Sequence, residues 1–468
     1  MTRARYAGLA GTALLAAGAY AAGALPYTDP AVAVRRSGLW HADPRYQIGL
    51  AAWLAGTVLL AAVWWRLGGE LRREAPPARW VLTTGAVWAL PLLVAPPLGS
   101  RDVYAYACQG AGYLTGHDPY AVGAAGGGCR WLSSVPELWH DTPAPYGPLA
   151  VAISAGAAAP GRLLVAVGLL RAVALVGVIL LGGYAVRLAN ACGVDAARAA
   201  WLGVITPVVA VHAVGGAHND ALLAGLVVAG LATATRNTPR AAVAAGVLFG
   251  CACAVKVTAL VALPFAVLLL ARPLWRVALP AVVATFAALS LVTGLDLGWL
   301  GALSGTGSLV QWTSLPTGLG MAMGYLLRAL GAPAAYEESV LVARALGLAV
   351  LVGLLVGLWL RARRQAASSP RAVVLACGAA LAATAVLSPV FYPWYAVLPL
   401  AVLACSTVDD RVRRWCAIAT VLLAFLVLPY GLGLAVLTKL PGALLDAGLV
   451  IALAVAAVRR AGPTPTTS

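Results

Sequence analysis

The chain has 468 residues, of which 62% are hydrophobic and 10% charged, with a mean hydropathy of +0.88 and a formal charge of +16. Repeated apolar runs near bilayer-spanning length exclude an ordinary soluble domain, and no period-two alternation marks a barrel. The positive charge is not a nucleic-acid footprint: the arginines fall mainly in short connectors between apolar runs, which is the topology signal of a membrane protein. The partner expected from composition is therefore a lipid bilayer, with no nucleic acid.

In chain order, MTRAR and the apolar run to Leu25 read as an uncleaved first helix. Further runs fall near 47–65, 80–97, 163–186, 199–214, 219–235, 241–255, 257–271, 277–293, 339–360, 371–387, 394–408, 413–433 and 441–458. The expected fold class is an all-α integral membrane protein, a bundle of about 13–14 transmembrane helices. With the N-terminus inside, most of the 32 lysines and arginines collect in short inner connectors, from Arg3 and Arg5 through Arg72, Arg198 and Arg363 to Arg459. That bias holds only if 146–160 and 317–331 are surface or re-entrant helices. The outer side then receives two long loops, 98–162 and 294–338, and a shorter one, 26–46. The organisation expected is one polytopic catalytic domain over 1–458 and a short disordered cytoplasmic tail, 459–468.

Chemistry is densest in SRDVYAYACQGAGYLTGHDPY, Ser100 to Tyr120, just past an apolar run. Arg101, Asp102, Gln109, His117 and Asp118 sit there among Tyr104, Tyr106, Tyr113 and Tyr120. An acid at the end of a membrane helix stays hydrated enough to ionise while meeting a lipid-borne substrate, so Asp102 reads as a catalytic base. The competing reading is a helix-end Asp paired with Arg101. Further on, GGAHND carries His218, Asn219 and Asp220 between two runs, suited either to orienting a sugar or to capping the next helix. Lys256 lies at the apex of an apparent hairpin with arms of about 15 residues, roughly 23 Å, short of a roughly 30 Å core. A charge at that depth needs an anionic partner: a lipid phosphate, Asp102 or Asp220. No Gly or Pro marks the turn. SPVFYPWY contributes Tyr392, Trp394 and Tyr395, as interfacial anchors or as stacking platforms for a sugar. Cys108 and Cys129 share one outer loop, where a disulfide is permitted. The cysteines form no C-x-x-C metal pattern, and no Gly-rich phosphate loop, H-E-x-x-H or G-x-S-x-G occurs.

The order RDVYAYACQG, GHDPY, YGPL, GGAHND, AVKVTAL and SPVFYPWY resembles the polyprenol-phosphomannose-dependent α-(1→6)-mannosyltransferases of the MptA/MptB type, in the GT-C superfamily, over roughly residues 80 to 400. The resemblance implies a bacterial plasma-membrane enzyme acting on the extracytoplasmic side. Its partners would be a polyprenyl-phosphate-mannose donor and a mannan or lipoglycan acceptor of lipomannan type, with Asp102 as the catalytic carboxylate. Turning a β-linked lipid-phosphate sugar into an α-glycoside implies inversion in one displacement, which needs a base and stabilisation of the departing phosphate. Asp102 suits the first role, and Lys256 or an outer arginine the second. No nucleotide diphosphate leaves, so no cofactor is required and a divalent metal is optional. Two alternatives stand beside this reading: a related enzyme using another lipid-phosphate sugar, such as an arabinofuranosyl donor, and a polytopic transporter or flippase.

The arginine pattern yields a topology test. Single cysteines at Ser133 and Ser308 in a Cys-free background should react with a membrane-impermeant thiol reagent in intact cells, and one at Ser369 should not. Labelling at Ser369 alone would invert the map.

Overall fold

The computed structural model describes residues 1–27, 38 and 42–461. Residues 28–37 and 39–41 of the expected loop 26–46, and residues 462–468 of the expected tail, lie outside them. Almost all ordered structure is helical; two two-residue strands, Val427–Leu428 and Leu432–Gly433, pair antiparallel around a tight turn. By contacts within the fold, the described residues group into two compact units. The first comprises Met1–Thr306, Leu355–Ala382 and Pro393–Gly433, and the second Gly307–Leu354, Ala383–Tyr392 and Leu434–Ser468.

Among the described residues, six helices are long and apolar enough to cross a membrane: Pro44–Glu74, Leu163–Ala191, Trp275–Thr293, Ala335–Gln365, Pro370–Leu387 and Lys439–Ala456. A seventh span arises if the pair Val209–Gly215 and Asp220–Ala234, bent by 107°, counts as one. About half of the expected thirteen or fourteen runs are present as shorter or broken helices. Pro207 follows the helix Ala196–Gly203 and divides the run 199–214. The run 413–433 leaves its helix at Ala424 for the strand pair. GGAHND is accordingly the corner of a sharply bent helix rather than a loop between two straight spans. The two segments read as non-spanning are helices of 11 and 15 residues, Pro148–Ala158 and Leu315–Ala329, about 17 and 23 Å long.

The first unit is built around Asp220–Ala234, whose 15 residues are all buried. Close backbone approach makes that possible. A Cβ on Gly177 would lie 2.4 Å from the carbonyl carbon of Ala221, and one on Gly225 2.4 Å from the carbonyl oxygen of Gly177. The helix Asp102–Leu114 packs on Pro148–Ala158 in the same way, since a Cβ on Gly110 would fall 2.2 Å from the Ser154 backbone. The Cys108–Cys129 disulfide forms and ties this helix to the loop after it. In the second unit, Met321, Val340 and Ala443 form a small core, and the Arg344 guanidinium bonds Thr317 Oγ1 and the carbonyls of Gly307 and Leu309.

The break at Lys256 needs no Gly or Pro of its own. The helix Pro239–Cys253 ends with carbonyls that have no partner within it, a cost that an apolar surrounding enforces. The amides of Leu149 and Ala150 donate to Ala254 O at 2.9 and 3.3 Å, and that of Gly147 to Val255 O at 3.2 Å. The amino end of one helix thereby meets the carboxyl end of another, and Pro148, lacking an amide hydrogen, occupies the first helical position at no cost. Gly147 is obligatory by space: a Cβ there would sit 2.4 Å from Ala254 O. Gly147→Ala is therefore expected to lower stability by about 1–3 kcal/mol. The control Gly168→Ala, with nothing within 4 Å, should stay within about 0.5 kcal/mol. Thermal unfolding of both variants in detergent is the measurement, and equal melting temperatures would contradict the docking.

Candidate active site

Asp102 opens its helix at the amino end, where its own amide donates to Ser100 Oγ at 3.1 Å. Trp139 Nε1 donates to Asp102 Oδ1 at 3.0 Å, and His218 Nδ1 lies 3.9 Å from Oδ2, beyond hydrogen-bonding distance. Tyr106, one turn on from Asp102, places its hydroxyl 3.3 Å from the same His218 nitrogen. Burial is the main influence on Asp102 and pushes its pKa up to about 6; the Trp139 hydrogen bond and the charge of Lys256 oppose it, while Asp220 adds to it. The side chain keeps 14% of its exposure, against 5% for Asp220 and none for His218. Of the two acids, Asp102 is the one open to an incoming hydroxyl.

Lys256 finds the anionic partner its depth requires in Asp220, with Nζ to Oδ1 at 2.8 Å. Its ammonium also lies 4.1 Å from the centre of the Tyr395 ring. His218 lies in the helix corner, just after Ala217, which adopts φ +55°, a left-handed conformation uncommon outside glycine, and Asp220 opens the arm that follows. The His218 ring stacks on Trp394 with centroids 3.8 Å apart and planes 18° apart. Trp394 is therefore buried with one face covered, and is neither a lipid-facing anchor nor a platform with both faces open. Asn219 and Gln109 line a cavity of about 20 Å³ with Tyr106, Tyr146 and Ser154, room for about one water. Among the described residues, His218 Nε2, Asn219 Oδ1 and Asp220 Oδ2 are buried with no hydrogen-bond partner.

Several expectations change. The Arg101 guanidinium does not pair with Asp102: it donates to the carbonyls of Ser134 at 2.8 Å and Ser133 at 3.1 Å, anchoring the following loop. The Tyr104 hydroxyl bonds Ala24 O and so is committed to the fold. His117, Asp118 and Tyr120 lie beyond the far end of the 13-residue helix that Asp102 begins, about 20 Å away along its axis. There His117 Nδ1 meets Thr115 Oγ1 at 3.1 Å, and Asp118 Oδ1 accepts the Tyr120 amide at 2.8 Å in a local turn. Tyr120 packs against Gly298, away from Asp102. Tyr392 belongs to the second unit, whereas Trp394 and Tyr395 belong to the first.

Trp139, Tyr106, Tyr146 and Arg171 join the site although the sequence alone does not single them out as site residues. Tyr106 was findable, because an i, i+4 spacing puts it on the helix face of Asp102. Tyr146 packs edge-on against Tyr106 at 5.4 Å. Arg171, buried in the long helix Leu163–Ala191, donates to Leu93 O at 3.0 Å, Ala95 O at 2.6 Å and Gly215 O at 3.4 Å. It thus ties the segment leading to Asp102 to the helix corner leading to His218. Among the described residues, no three His, Cys, Asp or Glu side chains converge as a metal site.

Residues 5–272 match the family model described as alpha-(1->6)-mannopyranosyltransferase, N-terminal domain, and residues 316–458 match the MptB C-terminal domain. A probable alpha-(1->6)-mannopyranosyltransferase of Mycolicibacterium smegmatis is 36% identical over 454 residues, 86% of this chain and 79% of its own. Alpha-(1->6)-mannopyranosyltransferase A of Mycobacterium tuberculosis is 33% identical over 415 residues, covering 85% of this chain and 79% of that protein. The B enzyme of Corynebacterium glutamicum is 30% identical over 479 residues, covering 92% and 77%. No solved structure matches. With a family model covering more than half its length and relatives aligned over most of the rest, this all-helical membrane chain belongs to the alpha-(1->6)-mannopyranosyltransferase family.

Proposed function

We propose that the protein transfers mannose, with inversion, from a polyprenyl-phosphate-mannose donor to a growing alpha-(1->6)-mannan of lipoglycan type, at the outer face of the bacterial plasma membrane. The observation that carries this reading is Asp102: a carboxylate in a largely enclosed site, oriented by Trp139, raised to about 6 by burial, and still partly open. That combination suits a general base at neutral pH, ionised yet basic enough to accept a proton. In the step proposed, Asp102 takes the proton of the acceptor hydroxyl as its oxygen bonds the anomeric carbon. The bond from that carbon to the phosphate oxygen breaks, and polyprenyl phosphate leaves with the electron pair. Lys256 is held by Asp220 through one of its three donors, leaving others for the departing phosphate.

The direct experiment is transfer of radiolabelled mannose from the lipid donor to a synthetic mannan acceptor by purified protein. Asp102→Asn should lose about 10²–10⁴-fold in transfer while keeping donor binding, because the lost interaction belongs to the transition state. Asp118→Asn, in its distant turn, should be far milder. Near-normal transfer by folded Asp102→Asn would sink the assignment.

A pH profile tests the same carboxylate. Since the ionised form is the active one, kcat/KM should fall as pH falls through about 6, one tenfold step per pH unit below it. A flat profile from pH 5 to 8 would contradict a base with this pKa.

The ion pair makes Lys256→Met a poor single test, because it strands a buried Asp220 at a cost of about 3–5 kcal/mol. The double variant Lys256→Met/Asp220→Asn should recover most of that stability. It should nevertheless transfer about ten- to a hundredfold more slowly, with weaker donor binding. Wild-type kinetics in the folded double variant would make the pair purely structural.

A further inference from the structure

At the other end of the first unit lies a cavity of about 540 Å³ into which Arg72, Arg198, Arg411, Arg413 and Arg414 all project. Asp410 is the one acid in its lining and is paired with Arg413 at 2.7 Å, which leaves four arginines uncompensated. Among the described residues, the side chains of Arg72, Arg198, Arg411 and Arg414 have no hydrogen-bond or ion-pair partner. Trp201, in the lining, stacks on Trp64 at 4.5 Å, and the two exchange hydrogen bonds from each indole nitrogen to the other's carbonyl, at 3.1 and 2.9 Å. A Cβ on Gly68 would strike the Trp201 ring at 2.2 Å, so the two helices are in direct contact there.

The cavity is remote from Asp102. Tyr46, near the start of the helix Pro44–Glu74, bonds Pro429 O, and Gly431 in that turn donates to Gly99 O, three residues before Asp102. Arg72 lies 26 residues further along the same helix, about 39 Å away, more than a hydrocarbon core.

Charge placement runs against helix electrostatics. Arg411, Arg413 and Arg414 crowd the first turn or so of Asp410–Ala424, and Arg198 the first turn of Ala196–Gly203. Helix amino ends carry partial positive charge and disfavour cations. Positive-inside topology calls for arginines in these connectors, but not for their convergence from three helices on one open cavity. The Asp195 and Asp409 carboxylates already cap these two amino ends, so what an anion seated there would satisfy is the set of guanidinium forks.

We propose that this cavity binds a phosphate-bearing anion at the membrane surface opposite Asp102. Two sources share that chemistry: the headgroup of an anionic phospholipid and a soluble phosphate. Trp65, exposed at the rim, lies where an interfacial lipid would be met.

Native mass spectrometry of the full chain in neutral detergent, titrated with phosphatidylglycerol or with phosphatidylcholine, tests the proposal. Phosphatidylglycerol adducts should saturate at low stoichiometry and exceed those of phosphatidylcholine. Arg198→Gln/Arg413→Gln/Arg414→Gln should weaken them about tenfold or more. Removing three charges elsewhere, with Arg361→Gln/Arg363→Gln/Arg364→Gln, should not. Should the first variant misfold, Gly69→Leu gives the same readout without loss of charge. A Cβ there meets only an Arg72 nitrogen, at 3.9 Å, so the larger side chain fills the cavity. Inorganic phosphate that raises the melting temperature of wild type, but not of either cavity variant, without phosphatidylglycerol selectivity, would assign the site to a soluble phosphate. No selective anion binding by folded wild type, or equal weakening by the control triple variant, would overturn the proposal.

Discussion

The amino end of Pro148–Ala158 seated on the carboxyl end of Pro239–Cys253 is the contact on which the site depends. A helix that stops inside an apolar environment leaves carbonyls with no water to bond, at a cost of several kcal/mol each. Supplying amides from another helix removes that cost and allows the chain to turn at Ala254 without a glycine. Lys256 then stands where it can reach Asp220, and Tyr146 is carried against Tyr106 by the same segment. One backbone junction therefore positions side chains from both arms.

The same logic recurs with arginine. Arg101 bonds the carbonyls of Ser133 and Ser134, and Arg171 those of Leu93, Ala95 and Gly215. A guanidinium is a fixed fork of donors that stays charged at any working pH, so it satisfies several stranded carbonyls at once. In both cases the charge is spent on holding irregular backbone near Asp102. Of the cavity arginines, Arg413 meets the Thr407 carbonyl and Asp410, whereas Arg72, Arg198, Arg411 and Arg414 hold no backbone carbonyl among the described residues, which separates them physically from Arg101 and Arg171.

Within the site, two carboxylates experience different surroundings. Asp220 is buried against Lys256 and makes a near-neutral pair. Asp102 has the Trp139 indole and the Ser100 hydroxyl as side-chain neighbours and feels Lys256 from further off. One acid thus stabilises a cation in the interior, while the other is kept basic and accessible.

The sequence by itself determined the all-helical membrane class, the polar stretch around Asp102, and the requirement that Lys256 have an anion, because apolar run length and the cost of an unpaired buried charge are local properties. That Tyr106 shares a helix face with Asp102 was equally legible, since one helical turn separates them. Only the tertiary structure decided that Asp220, and not Asp102, takes Lys256, that Trp139 holds Asp102, and that His218 stacks on Trp394. It also decided that Arg101 faces away and that His117 and Asp118 belong to a distant turn. The partners Asp220–Lys256 and Asp102–Trp139 are 36 and 37 residues apart in the chain. Their meeting depends on where helices break and which backbone groups close each break. That is settled by satisfying every polar group in an apolar medium across the whole unit, and no single stretch of sequence carries it.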